Sequence, residues 1–548
     1  MGAADDAWRP RVACDALAGG GPAAGAPPQG AEWRGWGEER SGMAGDGGEL
    51  DVPLLLDRAD DGGGRGGGGG GTRAHTRLEE ARACVQLAAP QSASNLCSFL
   101  LPLATVVIVG RLSGADPLPL SAASLAVSLS NVFGNAILIG TASALDTFAG
   151  QAWGAGNHAA LGVYLQRAMA VSLVLSLFIA VAWALGLSPL LHAIEPDAAL
   201  ASATLRDLAS LFLSVLFVGL TECLKRHLQA QEVVKPQLWV SAAAATLHVP
   251  IALGCVWVLG GRAVGALWGA GVSNALLFAM FAAYVWRRGD PRVWPGWTWR
   301  AWKGWGEYMR VAAPGAAMIM LEWIAFEVAV IVAGSLPGDP EVTTAASAIL
   351  FNCVAVLFMI PYGLSGATST RVGNALGRGD AKAARRTAVV ATVLALGVAC
   401  LQQAIMLGLR GPLPKFFSKN ADVERAVHAA FPFLCLEVFF DNMQCVISGV
   451  VRGQGSQNKG AAINLVAYYC IGLPLGLSLA FKTPMGLTGL WAGLSTGAGC
   501  QTLGQATLVF TGDWDRLTRA AVERAALEDA HRGSDEHAGG EDETGGGV

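Results

Sequence analysis

Residues 144–157, ALDTFAGQAWGAGN, return 223 residues later as ATSTRVGNALGRGD, beginning at Ala367. Ala144, Thr147, Gly150, Ala152, Gly154 and Gly156 match Ala367, Thr370, Gly373, Ala375, Gly377 and Gly379, and Asn157 is set against Asp380. Leu267 and Trp268 recur as Leu490 and Trp491, and Pro250 as Pro474, at nearly the same offset. Both motif copies follow long apolar runs. A chain duplicated this way in a membrane commonly holds its binding site between the two halves. Gln151, Arg371 and Asn374, set among the motif glycines with Gly150 and Gly373, are candidate structural residues of the motif.

Lipid is the solvent that the composition requires. Hydrophobic residues make up 53% of the 548 residues, charged residues 15%, and mean hydropathy is +0.43. Soluble domains carry about 25% charged residues, and one core could not hide this much apolar surface. The net charge of −4 argues against a nucleic-acid partner. The 11 cysteines are scattered, without a CxxC pair or a Cys/His spacing suited to a metal. Inside apolar runs they act as small hydrophobes, so neither a metal nor a cofactor is expected.

The first 76 residues hold runs of glycine and too few apolar side chains to offset chain entropy. They are expected to be a disordered tail without the basic-then-apolar layout of a signal peptide. Asp6 stands where a myristoylation motif needs Ser or Thr. Residues 51–56, DVPLLL, have the form of an acidic dileucine sorting signal. The tail after Asp513 is expected to be solvated chain.

Twelve apolar runs are long enough to cross the hydrocarbon as helices, which takes roughly 20 residues each. They lie near 86–110, 121–146, 160–187, 205–225, 236–259, 264–286, 311–335, 343–369, 385–409, 428–450, 460–481 and 487–511. About 17 Lys and Arg follow even-numbered spans and about eight follow odd-numbered ones, which puts both termini in the cytoplasm. The expected organisation is a tail at 1–76, a first lobe at 77–286, a linker at 287–310, a second lobe at 311–511 and a tail at 512–548. Each lobe has six spans, an even number, so the two lobes sit the same way up, related by a pseudo-two-fold along the membrane normal. The linker interleaves Trp294, Trp297, Trp299, Trp302 and Trp305 with Arg287, Arg288 and Lys303, a mixture suited to the headgroup layer.

Several motifs in one order resemble the multidrug and toxic compound extrusion (MATE) family, in its plant-like branch. They are ALDTFAGQAWG from Ala144, TRVGNALGRG from Thr370, LEWIAFE from Leu321, LQAQEVVKP from Leu228 and AINLVAYYCIGLPLG from Ala462. The resemblance runs from about residue 80 to about 511. It implies an all-α fold of two six-helix lobes arranged as a V, and cation-coupled efflux of organic solutes by what is expected to be a monomer. It also implies roles for individual residues: Glu322 in coupling and substrate recognition, Glu327 as a second acid, Asp441 as the carboxylate of the tenth span, and Asn352 as a polar partner able to hydrogen-bond a carboxylate. Glu437, one turn before Asp441, departs from the family pattern and is expected near the outer mouth of a cavity. Asp146 matches a family position but lies at a span end, where capping or bracing a loop explains it equally well.

An ionisable side chain within a span costs about 2.5 kcal/mol or more, so by default it marks function. Glu322 and Glu327 are five residues apart, about 140° around a helix, and should not enter one pocket. Glu222 precedes Lys225 and Arg226 by three and four residues, the spacing of a local ion pair. Desolvation disfavours a charged carboxyl, so Glu322 or Asp441 can exchange a proton for an organic cation. Sodium needs several converging oxygens, and the first half offers no acidic residue at mid-span to anchor them. A lipid-linked flippase of the wider superfamily would require a basic cavity. A membrane enzyme would need a catalytic cluster, which the isolated His248 does not supply. The glycine segments lack the Lys-Ser/Thr ending of a phosphate loop. A multi-pass protein of the plasma or vacuolar membrane is expected.

Overall fold

The computed structural model describes residues 76–527, apart from 115, 188, 190, 193–196, 260 and 295. Cys14, the 51–56 motif, the glycine runs of the N-terminal tail and the last 21 residues lie outside the described residues. Among the described residues twelve long helices follow one another. The first lobe holds α1 (Arg77–Ser113), α2 (Leu118–Gly154), α3 (His158–Leu187), α4 (Ala198–Ala230), α5 (Lys235–Leu259) and α6 (Ala263–Arg288). The second holds α7 (Trp305–Ala333), α8 (Pro340–Gly377), α9 (Ala381–Leu409), α10 (Ala421–Gln454), α11 (Gln457–Lys482) and α12 (Leu487–Phe510). Eleven are long and apolar enough to cross a membrane. The twelfth has 24 residues, ample length, but Gln501, Gln505 and its many Gly, Ser and Thr residues lower its apolarity. Large apolar side chains such as Leu177, Phe178, Trp257 and Leu503 are exposed on the helix surfaces, as lipid-facing residues should be.

The repeated motif has a local cause. Gly156 and Gly379 adopt φ of 77° and 79°, the left-handed conformation that ends a helix at little cost only for glycine. The next residue then starts a new helix. Asn157 accepts from the Ala160 N–H at 3.1 Å, and Asp380 from the Ala383 N–H at 2.8 Å. Both are N-caps, so their pairing in the sequence is a pairing of function. The corresponding turns after α4 and α10 differ. Gly455 has φ 75°, while Glu232, 223 residues earlier, takes φ 62° without being glycine. Such a conformation costs of order 1–3 kcal/mol.

The two motif copies pack on each other. A Cβ at Gly154 would lie 2.1 Å from the Asn374 carbonyl oxygen, and one at Gly377 would lie 2.1 Å from that of Gln151. Gln151 donates to the Gly453 carbonyl at 3.1 Å, and Asn374 donates to the equivalent Ala230 carbonyl at 3.3 Å. Each contact is answered by its repeat-related partner, as a two-fold requires. Small residues here let the backbones approach, the usual route to close helix packing in lipid. The seam continues along α1 and α8, where Ser92 donates to the Ile360 carbonyl at 2.8 Å.

One expectation fails outside the spans. Residues 514–527 form a helix, α13, and not solvated chain. Trp514, Thr518, Ala521 and Ala525 are buried because α13 lays this face on the bundle. Arg524 donates to Gln151 Oε1 at 2.8 Å, and Asn157 donates to the Ala525 carbonyl at 3.4 Å. The α6–α7 linker keeps Trp297 and Trp299 exposed while Trp294 and Trp305 pack partly against the first-lobe core.

Candidate functional site

Charged residues of the spans gather in two main places, one at the seam and one inside the second lobe. At the seam, Asp146 Oδ2 accepts from Arg226 at 2.6 Å and from Arg452 at 3.0 Å, joining α2, α4 and α10. All three side chains are buried, so the pairing replaces water that they have lost. Arg371 grips Glu80 with two bonds of 2.6 and 2.8 Å and reaches Glu232 at 3.4 Å. Asn374 also donates to Glu232, at 3.4 Å, which gives the strained turn at Glu232 its counterweight. Asp146 is thus a brace between lobes. Glu222 makes the expected local pair, with Lys225 at 2.7 Å.

The second lobe builds a different constellation. Gln444, one turn beyond Asp441 on α10, donates to Asp441 Oδ1 at 2.8 Å and to Glu322 Oε1 at 3.1 Å. One amide therefore holds two carboxyls. Gln501 of α12 donates to Glu322 Oε2 at 3.3 Å and to Gln444 Oε1 at 2.9 Å. The network runs on through Ser448 and Gln505 to Asn464. It ends on the Met318 carbonyl. Next to it α11 winds as a π-helix over Leu465–Gly472, a distortion frequent at functional sites. Asp441 and the three glutamines are buried, while Glu322 is half-buried and so keeps access to its surroundings.

The remaining candidates separate from this pair. Glu327 accepts from Ser128 of α2 in the other lobe, so the two α7 acids do point apart. Asn352 is exposed and donates to the Ala348 carbonyl of its own helix at 2.7 Å. It reaches no carboxylate, because the i−4 carbonyl lies within easier range. Glu437 is wholly buried and not at a mouth; its α10 neighbours Leu434 and Val438 belong to the apolar core of this lobe. The first lobe also buries an acid, near the start of its fourth span. Asp207 lies nine residues into α4, about 14 Å along the axis, fully buried and 3.8 Å from Arg206. His248, also buried, bonds Thr105 at 3.0 Å and Ser273 at 2.9 Å, tying α1, α5 and α6 without forming a cluster.

Gln444, Gln501, Gln505 and Asn464 escaped the sequence reading because neutral amides draw less attention than charges. Their signal was present: two glutamines four residues apart in the least apolar span, and a third one turn beyond an acid.

Comparison with known proteins gives concordant results. The MatE family model matches residues 90–253 and again 314–477, once in each lobe. Protein DETOXIFICATION 16 of Arabidopsis thaliana is 34% identical over 451 residues, covering 81% of this chain and 91% of its own. Multidrug and toxin extrusion protein 2 of Mus musculus is 33% identical over 460 residues, covering 82% and 77%. The crystal structure of the eukaryotic MATE transporter AtDTX14 superposes with a TM-score of 0.78 at 30% identity, over 82% of this chain and 99% of that one.

Proposed function

The chain belongs to the MatE family of multi-pass membrane transporters, and from that premise we propose that it exports organic cations in exchange for protons. The observation that carries this reading is the single amide of Gln444 shared by Glu322 and Asp441. Two carboxyls tied by one neutral donor cannot both keep full charge cheaply, because like charges in a low dielectric repel. Together they hold one proton or one organic cation well. Proton and cargo therefore compete for the same oxygens, and competition is what couples their movements.

The seam supplies the gate. In this conformation the lobes are locked at the basic-loop face by Asp146, Arg226 and Arg452 and by Arg371 with Glu80. With that face cytoplasmic, the acid pair loads protons from the opposite compartment and releases cargo there. Parting of the seam then exposes the pair to the cytoplasm, where the proton leaves and the next cation binds. Rocking of two rigid lobes about a central site is the general mode of such repeats.

The test is uptake of ethidium, a fluorescent organic cation, into inside-out vesicles with an imposed pH gradient. Uptake should follow the gradient and vanish in Glu322→Gln. Uptake indifferent to both the gradient and the substitution would rule the proposal out.

A further inference from the structure

Glu437 has no part in the exchange just described, yet it is the most completely enclosed acid of the second lobe. Its side chain is 0% exposed, and neither carboxyl oxygen has a hydrogen-bond partner. By contrast Asp441, one turn away, is held by Gln444, and Glu322 by two amides. Two donors in the same apolar core are also unused: Tyr468 Oη, on the π-helical stretch of α11, and Trp491 Nε1 of α12. Both side chains are at least 99% buried. Glu437 lies within electrostatic reach of Asp441 and Glu322, and Tyr468 within reach of all three acids.

The other charged and titratable groups around Glu437 do not neutralise it. On α8, Cys353 belongs to the same core. On α9, Gln402 is bonded to Asn442 of α10. Arg410, after α9, stacks over Phe431 at 5.9 Å, six residues along α10 from Glu437. Arg452, fifteen residues the other way, is committed to Asp146 and Ser365. A carboxylate with neither donors nor counter-charge is costly in such a place, and a bound proton removes that cost.

We infer that Glu437 is an additional proton-binding site, placed one helical turn from Asp441 on the side away from the basic loops. The second lobe then takes up one proton more than the Glu322–Asp441 pair alone can hold. Its position, about 6 Å along α10 from Asp441, sets it nearer than Asp441 to the face opposite the basic loops. The inference rests on the proton-exchange reading and adds to its stoichiometry.

Counting protons tests it without any cargo. The purified full-length chain in detergent is acidified from alkaline pH while proton uptake is titrated and the protonated-carboxyl C=O stretch is followed by infrared difference spectroscopy. Glu437→Gln should take up one proton fewer than the parent and lose one such band. Glu437→Asp, which keeps the acid, should restore both, and it serves as the working variant should the amide fold poorly. Asp441→Asn should leave the Glu437 band in place. An unchanged proton count in Glu437→Gln, or a band that never changes with pH, would assign Glu437 a static role and overturn the inference. Neither result bears on ethidium uptake by the parent chain, which tests exchange itself.

Discussion

The two lobes share their backbone plan and differ in what they bury. The repeat offset maps α4 onto α10, so Glu437, Asp441 and Gln444 correspond to Ser214, Val218 and Thr221. On α12, Gln501 corresponds to Phe278 of α6. The first lobe fills the equivalent space with hydroxyl, aliphatic and aromatic groups. There Ser214 accepts from Asn274 at 3.0 Å, and His248 sits between two hydroxyls. At the seam, however, both copies keep glycine where backbones touch. Geometry has been conserved between the repeats where lobe must meet lobe. Chemistry has diverged where a side chain faces only its own interior, since no symmetry partner constrains it.

The sharpest test of that division sets acid against acid. Glu322→Gln and Asp441→Asn should each abolish gradient-driven ethidium uptake, because each removes a group that alternates between proton and cargo. Asp207→Asn in the first lobe should leave the gradient dependence as it is, with neither of its oxygens hydrogen-bonded. Transport assays on reconstituted variants decide the matter. Loss of coupling in Asp207→Asn alone would move the working site to the other lobe.

Next in size is the buried brace. Asp146→Asn strands Arg226 and Arg452 without the carboxylate they share and should destabilise the fold by about 3–5 kcal/mol, the cost of breaking a buried ion pair from one side. Thermal unfolding in detergent measures it. Arg452→Ala should cost less than Asp146→Asn, because Asp146 keeps Arg226 at 2.6 Å and is not left uncompensated. If Arg452→Ala proves the weaker protein, the brace contributes more than mutual neutralisation.

The glycine pair comes third. Gly154→Ala and Gly377→Ala each place a methyl against a carbonyl oxygen, at the same 2.1 Å. Overpacking of this kind costs about 1–3 kcal/mol. The two shifts in unfolding temperature should agree, since each substitution meets the repeat-related copy of the same partner. A clear inequality would show that the seam is less symmetric in energy than in geometry.

Much of this was legible beforehand for a physical reason. Apolar runs announce helices in lipid, so the twelve spans could be read directly, and the match of Gly156 with Gly379 and of Asn157 with Asp380 marked the turns whose caps the structure supplies. Glu322 and Asp441 stood out because charge in oil is expensive. Their connection through Gln444 and Gln501 did not, because it depends on three helices brought together from 179 residues of separation. Asn352 misled for the opposite reason: its polarity suggested a partner across the cavity, while its own helix offered a carbonyl nearer. The burial of α13 was hidden by a charged sequence whose apolar face, Trp514, Thr518, Ala521 and Ala525, is narrow.

The smallest effects lie where the seam departs from its own two-fold. Gln151 and Asn374 are repeat partners, yet only Gln151 is strapped by Arg524 of α13, while Asn374 leans on Glu232. Arg524→Ala removes one charged donor and should lower stability by about 1 kcal/mol. Glu232→Gly exchanges two opposite terms. It relieves a left-handed turn, to the pattern that Gly455 follows in the other half, and it gives up contacts with Arg371 and Asn374. Each term is about 1 kcal/mol, so the net change should fall near zero, within about 0.5 kcal/mol, the range of an ordinary surface substitution. Paired melts of the two variants separate them. A marked loss in Glu232→Gly would mean that the carboxylate, held at a backbone angle disfavoured for any residue but glycine, is there to keep the lobes closed at this face.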